Sequence, residues 1–501
     1  MEYGFRAVMA FCLLFALILL CSPFCFSSQA HVSPGPSDLV VRDITCDSTV
    51  NPLGVDDPQP RFHWTLKARD EQLRNVQQTA FQILVASSRT ELDRDSADVW
   101  DTNKISTSKA PSVSYAGPPL VSDTVYYWKV RVWDQRGRPS TWSETVTFLT
   151  GLLQPSDWHA HWIAADPDGP RQPQARGNDD TRAASTPTLP IFRDTFPVNK
   201  PVMRATLFLS GLGESEAMLN GKPVTHAVLT PGWTDYRKTV LYDTYDVTQL
   251  LHQGINAIGV MLGNGMYNVQ GVQGRYTKFI GSFGQPKLIG ELRLHYADGS
   301  TSIVSSSTQW KTTSGPILFS SIYGGEDYDA RLVLTDWTLP TFQDAAWRLA
   351  VLVDGPGGEL RAEMLPPIEV IRTYLPVKAN RISSGVTVYD LGKNFAGRPV
   401  ITVRGPRGSS VRILPGELLD DSGRVTQASQ AASPDNSVAL NYRLGGDGME
   451  SWTPQFSYSG FRYAEVTVSG KHALPAVEAF EANPFTTQFP STAAFQPRMI
   501  C

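Results

Sequence analysis

Apolar and polar positions alternate singly along much of the chain, and no long stretch keeps the three-to-four spacing of an amphipathic helix. Thr79–Ser87 (TAFQILVAS), Thr124–Asp134 (TVYYWKVRVWD) and Glu144–Thr150 (ETVTFLT) are rich in β-branched and aromatic residues and are separated by polar turns. In the second of these, Tyr126, Trp128, Val130 and Val132 alternate with Tyr127, Lys129, Arg131 and Trp133. A period of two predicts a half-buried antiparallel strand. Residues 38–152 therefore read as an immunoglobulin- or fibronectin-like sandwich. Residues 165–190, rich in Pro, Asp and Arg and nearly free of apolar side chains, read as a loop or linker. Strand patterns resume at Phe192, giving a second block over 191–360 and a third over 361–482, with 483–501 as a tail. The only helical signals are short, such as Asp246–His252 with Asp246 as cap. The expected fold class is all-β, with three sandwiches in tandem.

Composition narrows the partners. A chain of 501 residues with 41% hydrophobic content can bury several cores, and a net charge of -4 gives no footprint for nucleic acid. Arg6, the apolar run that follows it, and the small residues Ser28 and Ala30 predict a signal peptide over 1–30, with a signal anchor as the alternative. The expected location is secreted and extracellular, with no membrane association after cleavage. Cleavage would leave Cys46 and Cys501, too few for a disulfide framework. His159 and His161 in WHAHW share one side of a strand, but no third metal ligand lies near them in sequence.

Candidate chemistry concentrates in two stretches. Ala217–Val247 (AMLNGKPVTHAVLTPGWTDYRKTVLYDTYDV) contains Asn220-Gly221, a hairpin turn signal. It also holds Trp233, Tyr236, Tyr242 and Tyr245, with Asp235, Asp243 and, further on, Asn264 as polar neighbours. Sugar C–H faces stack on aromatic rings while their hydroxyls need carboxylates and amides. The competing expectation is that these rings pack inside the sandwich. In Ser321–Leu332 (SIYGGEDYDARL), Glu326, Asp327 and Asp329 are three oxygen donors beside glycines. They could hold Ca²⁺, or form turns and pair with Arg331. Clustered acids fit a glycosidase pair poorly, since catalytic carboxylates face each other across the sugar. No G-x-S-x-G, Walker or Rossmann motif is present.

Several motifs together resemble one family. LNGKPVTHAVLTPGWTDYRKTVLYDTYDV, GINAIGVMLGNGMY and SIYGGEDYDAR look like the N-terminal carbohydrate-binding-like, jelly-roll sandwich of α-L-rhamnosidases of glycoside hydrolase family 78. YDLGKNFAGRPVITVRG and WTPQFSYSGFRYAEV resemble the concanavalin-like sandwich that follows, and NPLGVDDPQPRFHWTL with YYWKVRVWD resembles the fibronectin-like domain that precedes. The resemblance covers about residues 38–497. It implies an inverting hydrolase of terminal non-reducing α-L-rhamnose whose catalytic acid lies in a further (α/α)₆ barrel, in a stretch like D-E-R-x-G-W-x-G-D. The only Asp-Glu resembling it, in Arg69–Arg74 (RDEQLR), lacks the Gly-Trp. Met266 stands where the family usually carries Trp after its Gly-Asn-Gly turn.

The expectation is thus a rhamnosidase front end, inactive alone, with no catalytic residue of its own and a chain that stops where the barrel would begin. Its expected partner is a rhamnose-containing glycan or glycoside. Candidate sugar-binding residues are Asn220, Trp233, Asp235, Tyr236, Asn264 and Asn268, with Ca²⁺ in the second sandwich as a candidate cofactor. The alternatives are a stand-alone carbohydrate-binding protein and a structural or adhesive sandwich array.

Overall fold

A computed structural model describes residues 37–70, 72–109, 112–166, 189–446 and 448–487. The expected signal peptide, most of the expected linker, Cys501 and the tail from residue 488 lie outside these residues. Among the described residues the only α-helix is the single turn Arg89–Asp93, whose N-terminus Ser88 caps by accepting from the Glu91 amide at 3.4 Å. Strands make up nearly all the rest of the regular structure, and no helix among the described residues is long and apolar enough to cross a membrane.

In the first sandwich a three-stranded sheet (Leu39–Cys46, Arg61–Ala68, Ser112–Ser114) faces a five-stranded one built on Gln78–Ala86 and Val125–Asp134. Tyr126, Trp128, Val130 and Val132 all enter the core, beside Phe62, Trp64 and Phe148. The outward face of that strand is not solvated as its alternation suggests. Lys129 is buried, donating to the Leu92 carbonyl at the end of the short helix and to Asp95. The Arg131 guanidinium lies 4.5 Å from the centre of the Trp142 ring. Cations stacked on indole let a polar face be covered without unpaired charge.

In the second sandwich, a six-stranded sheet runs Lys222–Pro223, Glu214–Leu219, Gly254–Gly263, Pro190–Val198, Lys311–Ser314, Arg348–Leu349. The sheet packed on it centres on Lys287–Tyr296, Val202–Leu212 and Thr239–Asp246. Phe192, Leu207, Leu219, Val260, Leu292 and Trp310 fill the space between.

The third unit turns on one long strand, Val386–Arg404. Its first part pairs with Lys378–Ser383 and, on both sides of a register break between Asp390 and Phe395, with Ser459–Ser469; from Gly397 on it pairs with Ala476–Thr487, and its end with Met449–Trp452. A strand that changes partners midway folds one hydrogen-bonded network into two faces around a core of Ile401, Val411, Ile413, Phe461 and Phe480.

The second and third blocks are not separated as their sequence suggests. The hairpin Ile317–Ser321/Gly325–Asp329 falls within 191–360, yet Gly325–Asp329 pairs in parallel with Ala439–Arg443 of the third unit, Gly325 opposite Ala439 and Asp329 opposite Arg443. Unpaired backbone at a strand edge is costly to bury, and this edge is satisfied by a strand of the neighbouring unit.

The first and second sandwiches meet at a compact polar junction. Asp123 accepts from His295 Nε2 at 2.6 Å and from the Arg204 guanidinium, while the Leu152 amide donates to the Tyr242 hydroxyl at 3.1 Å. Gly151 has no room for a side chain: a Cβ would sit 2.3 Å from the Tyr242 oxygen and 2.8 Å from the Gly54 carbonyl. Burial raises the Asp123 carboxyl, but hydrogen bonds from His295 and Arg204 outweigh it and hold the group below the ordinary carboxylate range. Its contribution is therefore full above the unfolded carboxylate pKa, about 3.9, and is lost as pH falls through the depressed folded value. Asp123→Ala leaves Arg204 unpaired at the junction, and should cost about 3 kcal/mol in urea unfolding at pH 7. That difference should shrink as the measurement is moved below pH 4.

Candidate functional site

The Asn220-Gly221 turn closes the hairpin between Glu214–Leu219 and Lys222–Pro223, with φ of +53° and +81°. These left-handed values are what a tight two-residue turn requires. The Asn220 side chain is fully used: its Nδ2 donates to Leu250 O at 2.9 Å and Asn256 Oδ1 at 2.7 Å, and its Oδ1 accepts from Ala257 N at 2.9 Å. Asn220 lies at one end of the ladder between Glu214–Leu219 and Gly254–Gly263. Glu214 pairs with Gly263 at the other end, immediately before Asn264. With about 3.3 Å per residue along a strand, Asn220 is too far from Asn264 to share a monosaccharide.

The remaining candidates fall near that other end, but most are internal. Tyr236 is only 2% exposed, and its ring packs edge-on against Tyr267 and Phe283 at 5.2 and 5.4 Å. Its hydroxyl is buried without a protein partner. Asn264 donates from its backbone to Ser320 Oγ at 3.1 Å and from Nδ2 to Ser320 O at 2.9 Å, and accepts from Asn268 Nδ2 at 2.8 Å. Asn268 Oδ1 in turn accepts from Gln270 and Ser282 at 3.1 and 2.7 Å. This is a satisfied amide relay that pins the Gly263–Val269 turn. Only Trp233, 67% exposed, and Asp235 remain at the surface, and Asp235 is held by Arg237 at 3.0 Å. The six residues thus do not form one sugar pocket. In a loop without a strand's period of two, sequence does not say which ring turns inward.

No three His, Cys, Asp or Glu side chains converge on a metal position among the described residues. The acidic stretch shows why. Glu326, Asp327 and Asp329 lie on a strand, where successive side chains point to opposite faces. Glu326 accepts from the Gln455 and Phe456 amides, Asp327 from Arg275 and from Asn441 Nδ2 at 2.6 Å, and Asp329 pairs with Arg331 at 2.6 Å. The donors are dispersed into three structural contacts, so the residues present do not fit a Ca²⁺ site there. In WHAHW, the His159 and Ala160 amides both donate to buried Glu291, at 2.6 and 3.0 Å, which anchors the stretch to the second sandwich.

Trp233, Phe279 and Ile280 are large apolar side chains left at the surface of the second sandwich, with Ile280 71% exposed. Phe279 packs edge-on against Tyr323 at 5.6 Å. An open cleft of about 480 Å³ is lined by His161, Trp162, Asp354 and Gly355 among others, and Trp162 packs into the cluster of Tyr236 and Tyr267.

Beneath this surface lie acids not singled out from the sequence, or singled out for another role. Asp243 is pushed up to about 7 by burial, against hydrogen bonding from Tyr245 and with help from the Glu363 charge. Glu216 lies beside Arg398 of the third unit, and Glu214, buried next to Glu216 and Glu326, is pushed up to about 8. The alternation in Gly213–Leu219 (GESEAML) already places the two glutamates on one strand face, opposite Ala217 and Leu219; the arginine beside Glu216, Arg398, lies too far along the chain to leave a local signal.

Fold and surface together define a tandem β-sandwich protein whose conspicuous acids serve structure. Family models match in order along it: the Rha78A-like, N-terminal immunoglobulin domain over 41–154, the α-L-rhamnosidase N-terminal domain over 200–372, and the bacterial α-L-rhamnosidase concanavalin-like domain over 380–483. An α-L-rhamnosidase of Formosa agariphila is 35% identical over 97% of the chain, of which the chain covers 51%. The structure of an α-L-rhamnosidase from Dictyoglumus thermophilum superposes with a TM-score of 0.80 at 36% identity, over 90% of this chain and 49% of that one. A Streptomyces avermitilis α-L-rhamnosidase complexed with L-rhamnose superposes with a TM-score of 0.79 at 26% identity, over 90% and 57%. Three models of α-L-rhamnosidase domains thus match the chain in succession, and it spans about half the length of the curated relatives it matches.

The packing separates the candidates by their effect on stability. Asn264→Ala, which strands buried partners, should cost about 2 kcal/mol. Tyr236→Phe, which removes a hydroxyl with no protein partner, should be neutral or stabilising by up to about 1 kcal/mol. Trp233→Ala should stay within about 0.5 kcal/mol. Urea midpoints of the three variants check the ranking.

Proposed function

We propose that this chain is a non-catalytic part of an α-L-rhamnosidase, supporting removal of terminal non-reducing α-L-rhamnose from glycosides. The observation that carries this reading is the fate of the acids. A glycosidase needs two carboxyl groups roughly 5–10 Å apart across an accessible sugar. Glu326 is instead buried against backbone amides, and Asp327 and Asp329 are tied to arginine. The purified chain should release no rhamnose from an aryl α-L-rhamnoside above background. Turnover that survives repurification and is lost in Glu326→Gln would overturn the reading.

A second role, glycan binding, is favoured by exposed Trp233 beside Asp235. Stacking one sugar face of roughly 60–80 Å² contributes only about 1.5–2 kcal/mol at ~25 cal/mol per Å². Asp235 adds little while Arg237 and Lys238 hold it. Against the freedom lost on association, the dissociation constant for L-rhamnose should lie in the millimolar range. Calorimetric titration, repeated on Trp233→Ala, checks this: binding should be lost in the variant, and unchanged binding would place the sugar elsewhere. The N-terminal pattern adds a reading of export. The mature protein should begin near His31 and be found outside the cell, as N-terminal sequencing of the secreted fraction would show.

A further inference from the structure

The open cleft of about 480 Å³ in the second sandwich is built on the ends of two short strands. Ile163–Ala164 pairs antiparallel with Val351–Leu352, Leu352 opposite Ile163 and Val351 opposite Ala164. The Val353 amide donates to the Trp162 carbonyl at 3.0 Å, which carries the pairing one residue into the cleft. Each wall is also pinned from behind. The His161 amide donates to the Ser306 carbonyl at 3.0 Å, and the His161 carbonyl accepts from Ser306 Oγ at 2.6 Å. The Asp354 carbonyl accepts from Lys287 Nζ at 2.7 Å. The backbone around the cleft is thus fixed before any ligand arrives, which lowers the ordering cost of binding.

The side chains on these walls keep polar atoms to spare. His161 and Asp354 are exposed, and among the described residues neither the His161 ring nor the Asp354 carboxylate has a hydrogen-bond partner. Trp162 is half-buried, packing with Leu212, Tyr236 and Tyr267 while still lining the cleft. Its pyrrole edge meets Gly355, where a Cβ would stand 2.7 Å from the indole Nε1. Any larger residue there would press on that edge and narrow the cleft. Leu352, 55% exposed, adds an apolar wall.

This set of groups selects a kind of ligand. The cleft falls within the roughly 300–1,000 Å³ of small-molecule sites. Being open, it leaves the outer side of its occupant in water, which suits a molecule with polar groups all round and gains little from an apolar one. Asp354 and Lys287 carry opposite charges, so together they draw neither an anion nor a cation. An indole edge and a leucine offer contact to C–H groups, while a carboxylate accepts from hydroxyls and an imidazole donates or accepts. We propose that the cleft is a glycan subsite for a neutral oligosaccharide, with His161 and Asp354 binding its hydroxyls and Trp162 and Leu352 its C–H faces. The choice of a rhamnose-containing sugar rests on the reading of the chain as part of an α-L-rhamnosidase. The site is independent of Trp233, which does not line it.

Calorimetric titration of the full chain with rutinose, a neutral disaccharide of α-L-rhamnose on glucose, tests this beside the titration with L-rhamnose. Groups spread along a cleft reward a longer ligand, so rutinose should bind at least fivefold more tightly than L-rhamnose. Asp354→Ala keeps the carbonyl that holds Lys287 and removes only the free carboxylate. It should weaken rutinose at least fivefold, and His161→Ala at least twofold. Both are changes at exposed side chains and should leave the urea midpoint unmoved. Trp233→Ala, which removes the surface ring, should leave rutinose affinity within twofold, so the cleft and the Trp233 surface fail separately. Equal affinity for the two sugars, or rutinose affinity unchanged in Asp354→Ala, would overturn the proposal.

Discussion

The parallel pairing of Gly325–Asp329 with Ala439–Arg443 is the constraint on which the second half of the structure depends. It joins segments more than a hundred residues apart through main-chain hydrogen bonds, which cannot be shifted by one residue without turning every side chain to the wrong face. Gly325 marks its start. At φ +91° it approaches so closely that a Cβ would lie 2.1 Å from the Ala439 carbonyl oxygen. Once this register is set, Glu326 is directed at the 455–456 amides, while Asp327 is directed at Arg275 and Asn441. The acid-rich motif is thus a consequence of a strand spanning two units, and its charges are distributed by the pleat.

That pairing also shows where sequence reading stops. The strands themselves are legible, because a period of two is a local property: Tyr126, Trp128, Val130 and Val132 enter one core as their spacing implies. The choice of partner strand is not local. Nothing in Ser321–Leu332 tells that its pairing partner begins at Ala439, so the acids look like a cluster when read in one dimension. The candidate sugar site failed to converge for a related reason. Trp233 and Tyr236 are three residues apart in a turn, one exposed and one at the centre of an aromatic cluster, and no periodicity distinguishes them. The family motifs were more informative, because each spans whole strands together with their turns.

The two joints differ in kind. Between the first and second sandwiches, Asp123 accepts from the Arg204 guanidinium and from His295, and the carboxyl is stabilised as a carboxylate. Glycines at 54 and 151 bring the backbones into contact there. Between the second and third, Glu216 and Glu326 share Arg398, and burial raises the carboxyls of Glu214 and Glu326 above the ordinary range.

Buried ionisable groups are poor providers of stability. Apolar residues of similar volume are often neutral or better by about 1–4 kcal/mol. At the second joint a strand pairing of five residues already supplies the register. Glu326 adds a hold on the 455–456 amides to a register that the pairing already sets.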